Sequence, residues 1–135
     1  MDISKAFDKV NHHKLFSKMM DRNVPANCIL LLACWYEKSI ISVRWGHSSS
    51  YFVSLETGVR QGSILSPKLF ALFGDEVLVR LNQRGLGCHI KGLCFNAKMY
   101  ADDLLLISIS ITDLQQMIVI CTKVLNSLQL EHKLK

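Results

Sequence analysis

Apolar residues recur at intervals of three and four positions in the first third of the chain, a spacing that predicts helices. Asn11 is a suitable N-cap for a helix over residues 12–22, and Pro25 would end it because proline lacks a backbone N–H. The apolar face of this helix consists of Leu15, Phe16, Met19 and Met20. Residues 26–38 predict a second helix that is apolar on nearly all sides, so we expect it to be buried.

The same spacing predicts a third helix in the middle of the chain. Ser66 and Pro67 fit the N-cap and N1 positions, and the helix would run to about Gln83 before Gly85 and Gly87 end it. Its core face would be formed by Leu69, Phe70, Phe73, Val77 and Leu81.

A fourth helix is predicted near the end of the chain. Thr112 and Gln115 have the spacing of a capping box, and the helix would extend to about Leu128. Its apolar stripe comprises Leu114, Met117, Ile118, Cys121, Val124, Leu125 and Leu128.

Strand-like segments lie between the helices. Residues 40–45 and 51–56 are rich in β-branched and aromatic residues and flank the turn "GHSSS", which predicts a hairpin. A second hairpin fits residues 94–108, with Asp102 and Asp103 at its tip, and residues 1–3 resemble the end of a strand. We therefore expect an α+β fold, with helices packed on one face of an antiparallel sheet.

Composition narrows the class of protein. The chain has 135 residues, half of them hydrophobic, which suits one domain with a substantial core. A net charge of +5 suits a polyanionic partner such as nucleic acid, but it equally suits a solvated basic surface. Five cysteines without a C-x-x-C pattern indicate free thiols in a reducing compartment, so we expect an intracellular location in the cytoplasm or nucleus. The longest apolar runs are too short to cross a membrane.

Acidic residues at the two ends of the chain suggest chemistry. Asp102 and Asp103 occupy a turn between apolar flanks, where aspartate is also common for structural reasons. Two adjacent carboxylates repel each other, and a hard cation such as Mg²⁺ would relieve the repulsion. If the strand that contains Asp2 lies beside this hairpin, Asp2 and Asp102 could share two metal ions, which suits phosphoryl transfer.

Three blocks of sequence resemble one family of enzymes. In order, they read "DISKAFDKVNHHKL", "GVRQGSILSPKLFALF" and "MYADDLLLIS". Together they are similar to the palm domain of reverse transcriptases, most closely those of non-LTR (LINE-type) retrotransposons. The resemblance implies that residues 1–135 form a partial palm domain with the activity of an RNA-directed DNA polymerase.

The resemblance implies a set of metal ligands. Asp2 and Asp102 would bind two Mg²⁺ ions, for which Mn²⁺ is a possible substitute. Asp103 would complete the acidic cluster, and the backbone carbonyl of Ile3 could also contact a metal. These three aspartates would then be the catalytic carboxylates.

The resemblance also implies residues that bind substrate. Phe7 matches the aromatic position that excludes a ribose 2′-OH, with a plain core phenylalanine as the alternative. Gln61 and Gly62 match a motif that contacts the incoming nucleotide and the templating base, unless they form an ordinary loop. Tyr100 would support the primer end, or simply pack. Arg60 is a candidate phosphate ligand, with a solvated surface residue as the alternative.

The implied partners are an RNA template, a DNA primer and deoxynucleoside triphosphates, with no membrane and no defined oligomeric state. Asp8 is expected to support a local turn and not to bind metal. Lys133 is a candidate for the basic residue of the block that follows the last helix. Gly74 stands mid-helix where the family prefers a larger apolar residue, which suggests relaxed constraint.

The fingers and thumb of related enzymes have no counterpart in the sequence, so the palm is expected to be incomplete and weak or inactive by itself. Two alternatives stay open. One is a related palm polymerase, such as an intron maturase or an RNA-dependent RNA polymerase, although the latter usually carries Gly-Asp-Asp at the hairpin tip. The other is a non-catalytic, decayed remnant that folds or binds nucleic acid.

Overall fold

The computed structural model describes residues 1–133 and has the expected α+β class. Its helices are α1 (His12–Asp21), α2 (Ala26–Glu37), α3 (Ser66–Arg84) and α4 (Ile111–Ser127). Its first five strands are β1 (Asp2–Ser4), β2 (Ile40–Ile41), β3 (Arg44–Trp45), β4 (Ser48–Ser49) and β5 (Val53–Ser54). The other five are β6 (Cys88–Ile90), β7 (Leu93–Phe95), β8 (Ala97–Tyr100), β9 (Asp103–Leu106) and β10 (Glu131–Lys133).

The central sheet has four antiparallel strands in the order β10-β1-β9-β8. The first strand of the chain therefore lies between two strands from its last third. The predicted hairpin at residues 94–108 is present as β8 and β9. The expectation that the strand of Asp2 lies beside this hairpin is confirmed.

Successive side chains along each strand point to opposite faces of this sheet, one buried and one more exposed. Ile3 and Leu104 are fully buried, and the half-buried Met99 packs with them against the helices. Asp2 and Asp103 lie on the opposite face because they alternate with these core residues. All five residues predicted for the core face of α3 are buried, so the helices cover one face of the sheet.

The helix ends differ from the predictions in detail. Asn11 caps α1 as expected, since its side-chain oxygen accepts a hydrogen bond from the Lys14 N–H (3.0 Å). The predicted Thr112 cap is wrong, because the Ser110 hydroxyl accepts from the Asp113 N–H instead and α4 begins two residues earlier than Thr112 would allow. The N-cap of α3 is Leu65, so Ser66 is already helical.

The prediction that α2 is buried on all sides is wrong. Only Ile29 and Tyr36 of this helix are buried, whereas Leu31 is 72% exposed. The helix contacts α1, the half-buried Leu32 packs against the core, and other apolar positions such as Leu30 are exposed. Apolar composition predicted the helix but could not show how many neighbours cover it.

Two smaller hairpins extend from the core. The predicted hairpin at residues 40–56 is present as two short ladders, β2 with β5 and β3 with β4. The hairpin of β6 and β7 has no counterpart in the predictions. The five cysteines are all free thiols. Within residues 1–133, we find no helix with the length and apolarity that a bilayer crossing requires.

Candidate functional site

Asp2 and Asp103 are direct neighbours on adjacent strands. Backbone hydrogen bonds join Met1 to Leu104 on one side of this pair (2.9 and 3.1 Å) and the Ile3 N–H to the Asp102 carbonyl on the other (2.9 Å). Asp2 and Asp103 thus form a non-hydrogen-bonded pair, in which Cα atoms are typically about 4.5 Å apart and side chains share a face. The ladder brings together acids that lie about a hundred positions apart in sequence.

Asp102 belongs to the two-residue connection between β8 and β9. Its neighbour Ala101 has a φ of +49°, a left-handed conformation that costs a non-glycine residue on the order of 1 kcal/mol. Tyr100 and Asp103 are paired across the turn, so the connection is as short as a hairpin allows. This tight turn keeps the Asp102 side chain next to the end of β1.

The turn that follows β1 carries a group of charges. The Lys5 carbonyl accepts hydrogen bonds from the N–H groups of Asp8 (3.0 Å) and Lys9 (3.1 Å). Lys9 forms an ion pair with Glu131 on β10, and its hydrogen bond lowers the pKa of the Glu131 carboxyl. Lys133, the predicted basic residue after the last helix, is paired with Asp2 on the other side of β1. A lysine therefore flanks the acidic pair within the sheet.

The loop between β5 and α3 is joined to this turn by backbone contacts. The Val59 N–H donates to the Phe7 carbonyl (2.7 Å), and the Gly58 N–H donates to the Val10 carbonyl (2.8 Å). His12 Nε2 donates to the carbonyl of Gly58 (2.7 Å), because a carbonyl oxygen can only accept. These hydrogen bonds help to hold the second sequence block against the first.

A cavity of about 450 Å³ opens where these parts meet. It is lined by Lys5, Ala6, Phe7, Gln61, Gly62, Ser63, Ser66, Pro67 and Asp102. Residues from all three sequence blocks therefore share one concave surface. A cavity of about 550 Å³ between α3 and α4 lies elsewhere and is lined by none of the predicted site residues.

Phe7 forms the wall between this cavity and a second one. The centres of its ring and of the Phe70 ring in α3 are 5.0 Å apart, and this contact holds the Phe7 side chain in place. The second cavity, about 440 Å³, is lined on its other side by Tyr100, whose side chain is 81% exposed. Tyr100 therefore lies close to Phe7 but outside the first cavity.

Arg60 is directed away from both cavities. Its guanidinium donates to the Ile40 carbonyl (3.1 Å) and lies near the hydroxyl of Tyr36. Burial raises the pKa of Tyr36, while Arg60 and Ser66 oppose that rise. Arg60 is thus the one predicted substrate ligand that the structure does not bring to the others. Conversely, Lys5 lines the cavity although the sequence patterns did not predict a role for it. The feature that could have indicated it is a lysine three positions after Asp2.

The acidic residues have the donor atoms of a cation site, but their side chains are not positioned to bind a cation together. Carboxylate oxygens are the donors that Mg²⁺ prefers. They are supplied here by Asp2 on β1 and, on the adjacent hairpin, by Asp102 and Asp103. The Ile3 carbonyl faces the same hairpin, because the N–H and C=O of a strand residue point to the same side. Among residues 1–133, however, no three His, Cys, Asp or Glu side chains are close enough to hold a metal ion as they stand.

The sequence profile of one family, described as reverse transcriptase (RNA-dependent DNA polymerase), matches residues 1–135. The chain belongs to the reverse transcriptase family. The expected resemblance is therefore confirmed, and the family to which the chain belongs is that of RNA-directed DNA polymerases. Members of this family generally use divalent metal ions.

Relatives of this chain include retrotransposon polyproteins. It is 35% identical over 107 residues to the Pol polyprotein of the type-2 retrotransposable element R2DM of Drosophila melanogaster, a match covering 78% of the chain and 10% of the relative. It is 31% identical to the Pol polyprotein of a type-1 element R2 of Popillia japonica, covering 79% and 18%. A third R2 polyprotein, from Bradysia coprophila, is 30% identical, covering 85% and 13%. The chain thus matches less than a fifth of each of these proteins, all from non-LTR elements.

Proposed function

We propose that this chain is the palm domain of a retrotransposon reverse transcriptase. Its reaction would be the attack of a primer 3′-OH on the α-phosphate of a deoxynucleoside triphosphate, with pyrophosphate as the leaving group. The observation that carries this proposal is the direct pairing of Asp2 with Asp103, with Asp102 at the end of the same ladder. The domain would comprise residues 1–135, of which the last two lie outside the described residues.

In this proposal, Asp2 and Asp102 hold two Mg²⁺ ions, with the Ile3 carbonyl as a further ligand and Asp103 completing the negative charge. The bound ions would supply a Lewis acid that stabilises the charge developing on the transferred phosphoryl group. The protein's contribution is to preorganise the carboxylates. Like charges directly opposite one another on adjacent strands are unfavourable. Binding of a divalent cation between them would therefore stabilise the folded protein.

The cavity of 450 Å³ is the proposed nucleotide site. Phe7 would exclude a 2′-OH, while Gln61 and Gly62 would contact the incoming nucleotide and the templating base. Tyr100, exposed beside Phe7, would support the end of the DNA primer on an RNA template. An intracellular location, in the cytoplasm or nucleus, is part of this proposal.

The isolated 135-residue chain is expected to extend primers weakly or not at all. Lys5 is the one basic residue that lines the cavity in the described part of the chain, and it would face a triphosphate carrying several negative charges. The cavity is also open to solvent, which weakens each electrostatic contact by screening. Extension of oligo(dT) on poly(rA) with dTTP measures this directly, and efficient synthesis by the chain alone would contradict the expectation.

Metal binding is tested by the thermal midpoint of unfolding during titration with Mg²⁺ or Mn²⁺, since a ligand that binds only the folded state raises that midpoint. We expect a rise for the wild type that is largely lost in Asp102→Asn. Glu37→Gln is the matched control, because it removes one exposed carboxylate on α2, remote from the sheet. Equal responses of the wild type and Asp102→Asn would remove the support for a metal-dependent palm.

A further inference from the structure

His12, the first residue of α1, reaches from that helix to the loop before α3. Its half-buried ring packs on the buried ring of Tyr36 in α2, with the ring centres 4.4 Å apart. Its Nε2–H donates to the Gly58 carbonyl, at a distance of 2.7 Å. One side chain therefore contacts α2 through its ring and the loop through its N–H group.

The peptide unit between Gly58 and Val59 is bound at both of its polar groups. Its C=O accepts from His12, and its N–H donates to the Phe7 carbonyl (2.7 Å). Because the C=O and N–H of a trans peptide point in opposite directions, this unit lies between the His12 side chain and the Phe7 main chain. Hydrogen bonds in a chain polarise one another, so donation from His12 strengthens the bond to Phe7.

Phe7 is the residue on which this arrangement acts. Its ring separates the cavity of 450 Å³ from the cavity of 440 Å³, and the Phe70 ring packs beside it. The contact with Phe70 restrains the Phe7 side chain, whereas the hydrogen bond from Val59 restrains its backbone. A shift of that backbone would move the ring and change the space beside it for a substituent on a bound nucleotide.

We propose that His12 is a positioning residue, which holds Phe7 in place through the Gly58–Val59 peptide and so contributes to the preference for deoxyribonucleotides. This inference rests on the proposed function of the cavity. His12 is not among the residues that line either cavity. Its effect on the nucleotide therefore passes through Phe7.

Two substitutions separate the hydrogen bond of His12 from its ring contact. His12→Phe keeps a ring against Tyr36 but removes the donor. His12→Gln removes the ring but keeps an N–H donor the same number of bonds from the backbone. We expect His12→Phe to lower the affinity ratio of dUTP to UTP by about three- to fivefold, and His12→Gln by less than about 1.5-fold, since one hydrogen bond is at stake. Saturation-transfer NMR on the full chain with Mg²⁺ measures the ratio.

A matched control and a double-mutant cycle separate positioning from general damage. His13→Phe changes the neighbouring, exposed histidine and should keep the wild-type ratio. A loss of folding would weaken both nucleotides alike and leave their ratio unchanged. In the Phe7→Val background, His12→Phe should lower the ratio no further. A further fall in that background, or equal falls in His12→Phe and His12→Gln, would overturn the proposal.

A second measurement does not depend on nucleotide binding. Amide hydrogen exchange at Val59 reports its bond to Phe7, while Leu104, which donates to the Met1 carbonyl (2.9 Å), reports whether the central sheet is intact. In His12→Phe, Val59 should exchange about five- to tenfold faster and Leu104 at its wild-type rate.

An unchanged rate at Val59, or an unchanged nucleotide ratio in His12→Phe, would mean that His12 has no positioning role. Failure of the wild type to bind either nucleotide would instead count against the proposed function. The exchange rate at Val59 would still decide whether His12 holds the loop against Phe7.

Discussion

Gly58 lies directly against the main chain of Asp8. A Cβ at Gly58 would come within 2.8 Å of the Asp8 carbonyl oxygen and 2.9 Å of its Cα. Gly58 also has a φ of +90°, which other residues rarely adopt. The absence of a side chain is therefore what allows the second sequence block to lie on the first.

Gly58→Ala should lower the free energy of unfolding by about 2–4 kcal/mol, from backbone strain and overpacking together. Gly92→Ala is the control, because Gly92 has a φ of +79° but a Cβ there would meet no other described part of the chain within 4 Å. The control should therefore cost only about 1 kcal/mol, from strain alone. Urea unfolding measures both. Equal losses would mean that the close approach to Asp8 contributes nothing.

Gly74 should respond to substitution according to what occupies position 99. The end of the Met99 side chain fills the space beside Gly74, where a Cβ would stand. Gly74→Ala alone should change stability by less than about 1 kcal/mol, because the gain in helix propensity is offset by displacing Met99. In a Met99→Ala background the same change should stabilise by about 1 kcal/mol, again by urea unfolding. An identical effect in both backgrounds would contradict this coupling.

Phe7→Val should weaken discrimination against ribonucleotides. The shorter side chain leaves room for a 2′-OH, so the affinity ratio of dUTP to UTP should fall by about tenfold or more. Saturation-transfer NMR on the full chain measures the ratio. Phe95→Val, at an exposed position on β7, is the control and should leave it unchanged. An unaltered ratio in Phe7→Val would assign Phe7 to the core alone.

Glu76 should make stability depend on acid pH. A hydrogen bond from Lys18 (2.9 Å) lowers the pKa of the Glu76 carboxyl, so its contribution is full above the ordinary value of 4.5 and is lost as pH falls through the lowered value. Because the pair is partly exposed, Glu76→Gln should cost about 1 kcal/mol at pH 7. The difference from wild type should shrink as the pH falls below the ordinary pKa and through the lowered one, and thermal unfolding at a series of acid pH values measures it. A difference that stays constant with pH would exclude the ion pair as its cause.

Local patterns predicted the elements that local rules govern. The core face of α3 and the cap at Asn11 followed from spacing and side-chain chemistry. The Thr112 cap was wrong because Ser110 offers an equivalent hydroxyl two residues earlier. Gly74 looked like a loosened position in the sequence, but in the fold it makes room for Met99.

The contacts between distant segments that form the site could not be predicted from local sequence patterns. The roles of Asp2, Asp102 and Asp103 came from resemblance, whereas their pairing depends on a register that no local pattern encodes. Arg60 and Asp8 both show that closeness in sequence does not predict contact in the fold. Arg60 sits beside the glycine loop in sequence yet binds the Ile40 carbonyl, while Asp8 is far from Gln61 in sequence yet contacts it.

The position of β1 between β9 and β10 has a consequence for how the protein forms during synthesis. Met1 cannot form its hydrogen bonds until Leu104, 103 positions later, has been synthesised. Such long-range pairing is slow, because the entropy of closing a large loop is lost before any contact is gained. On the ribosome, α1 and α2 can therefore assemble early, but the acidic centre can form only after β9 has emerged and paired with β1.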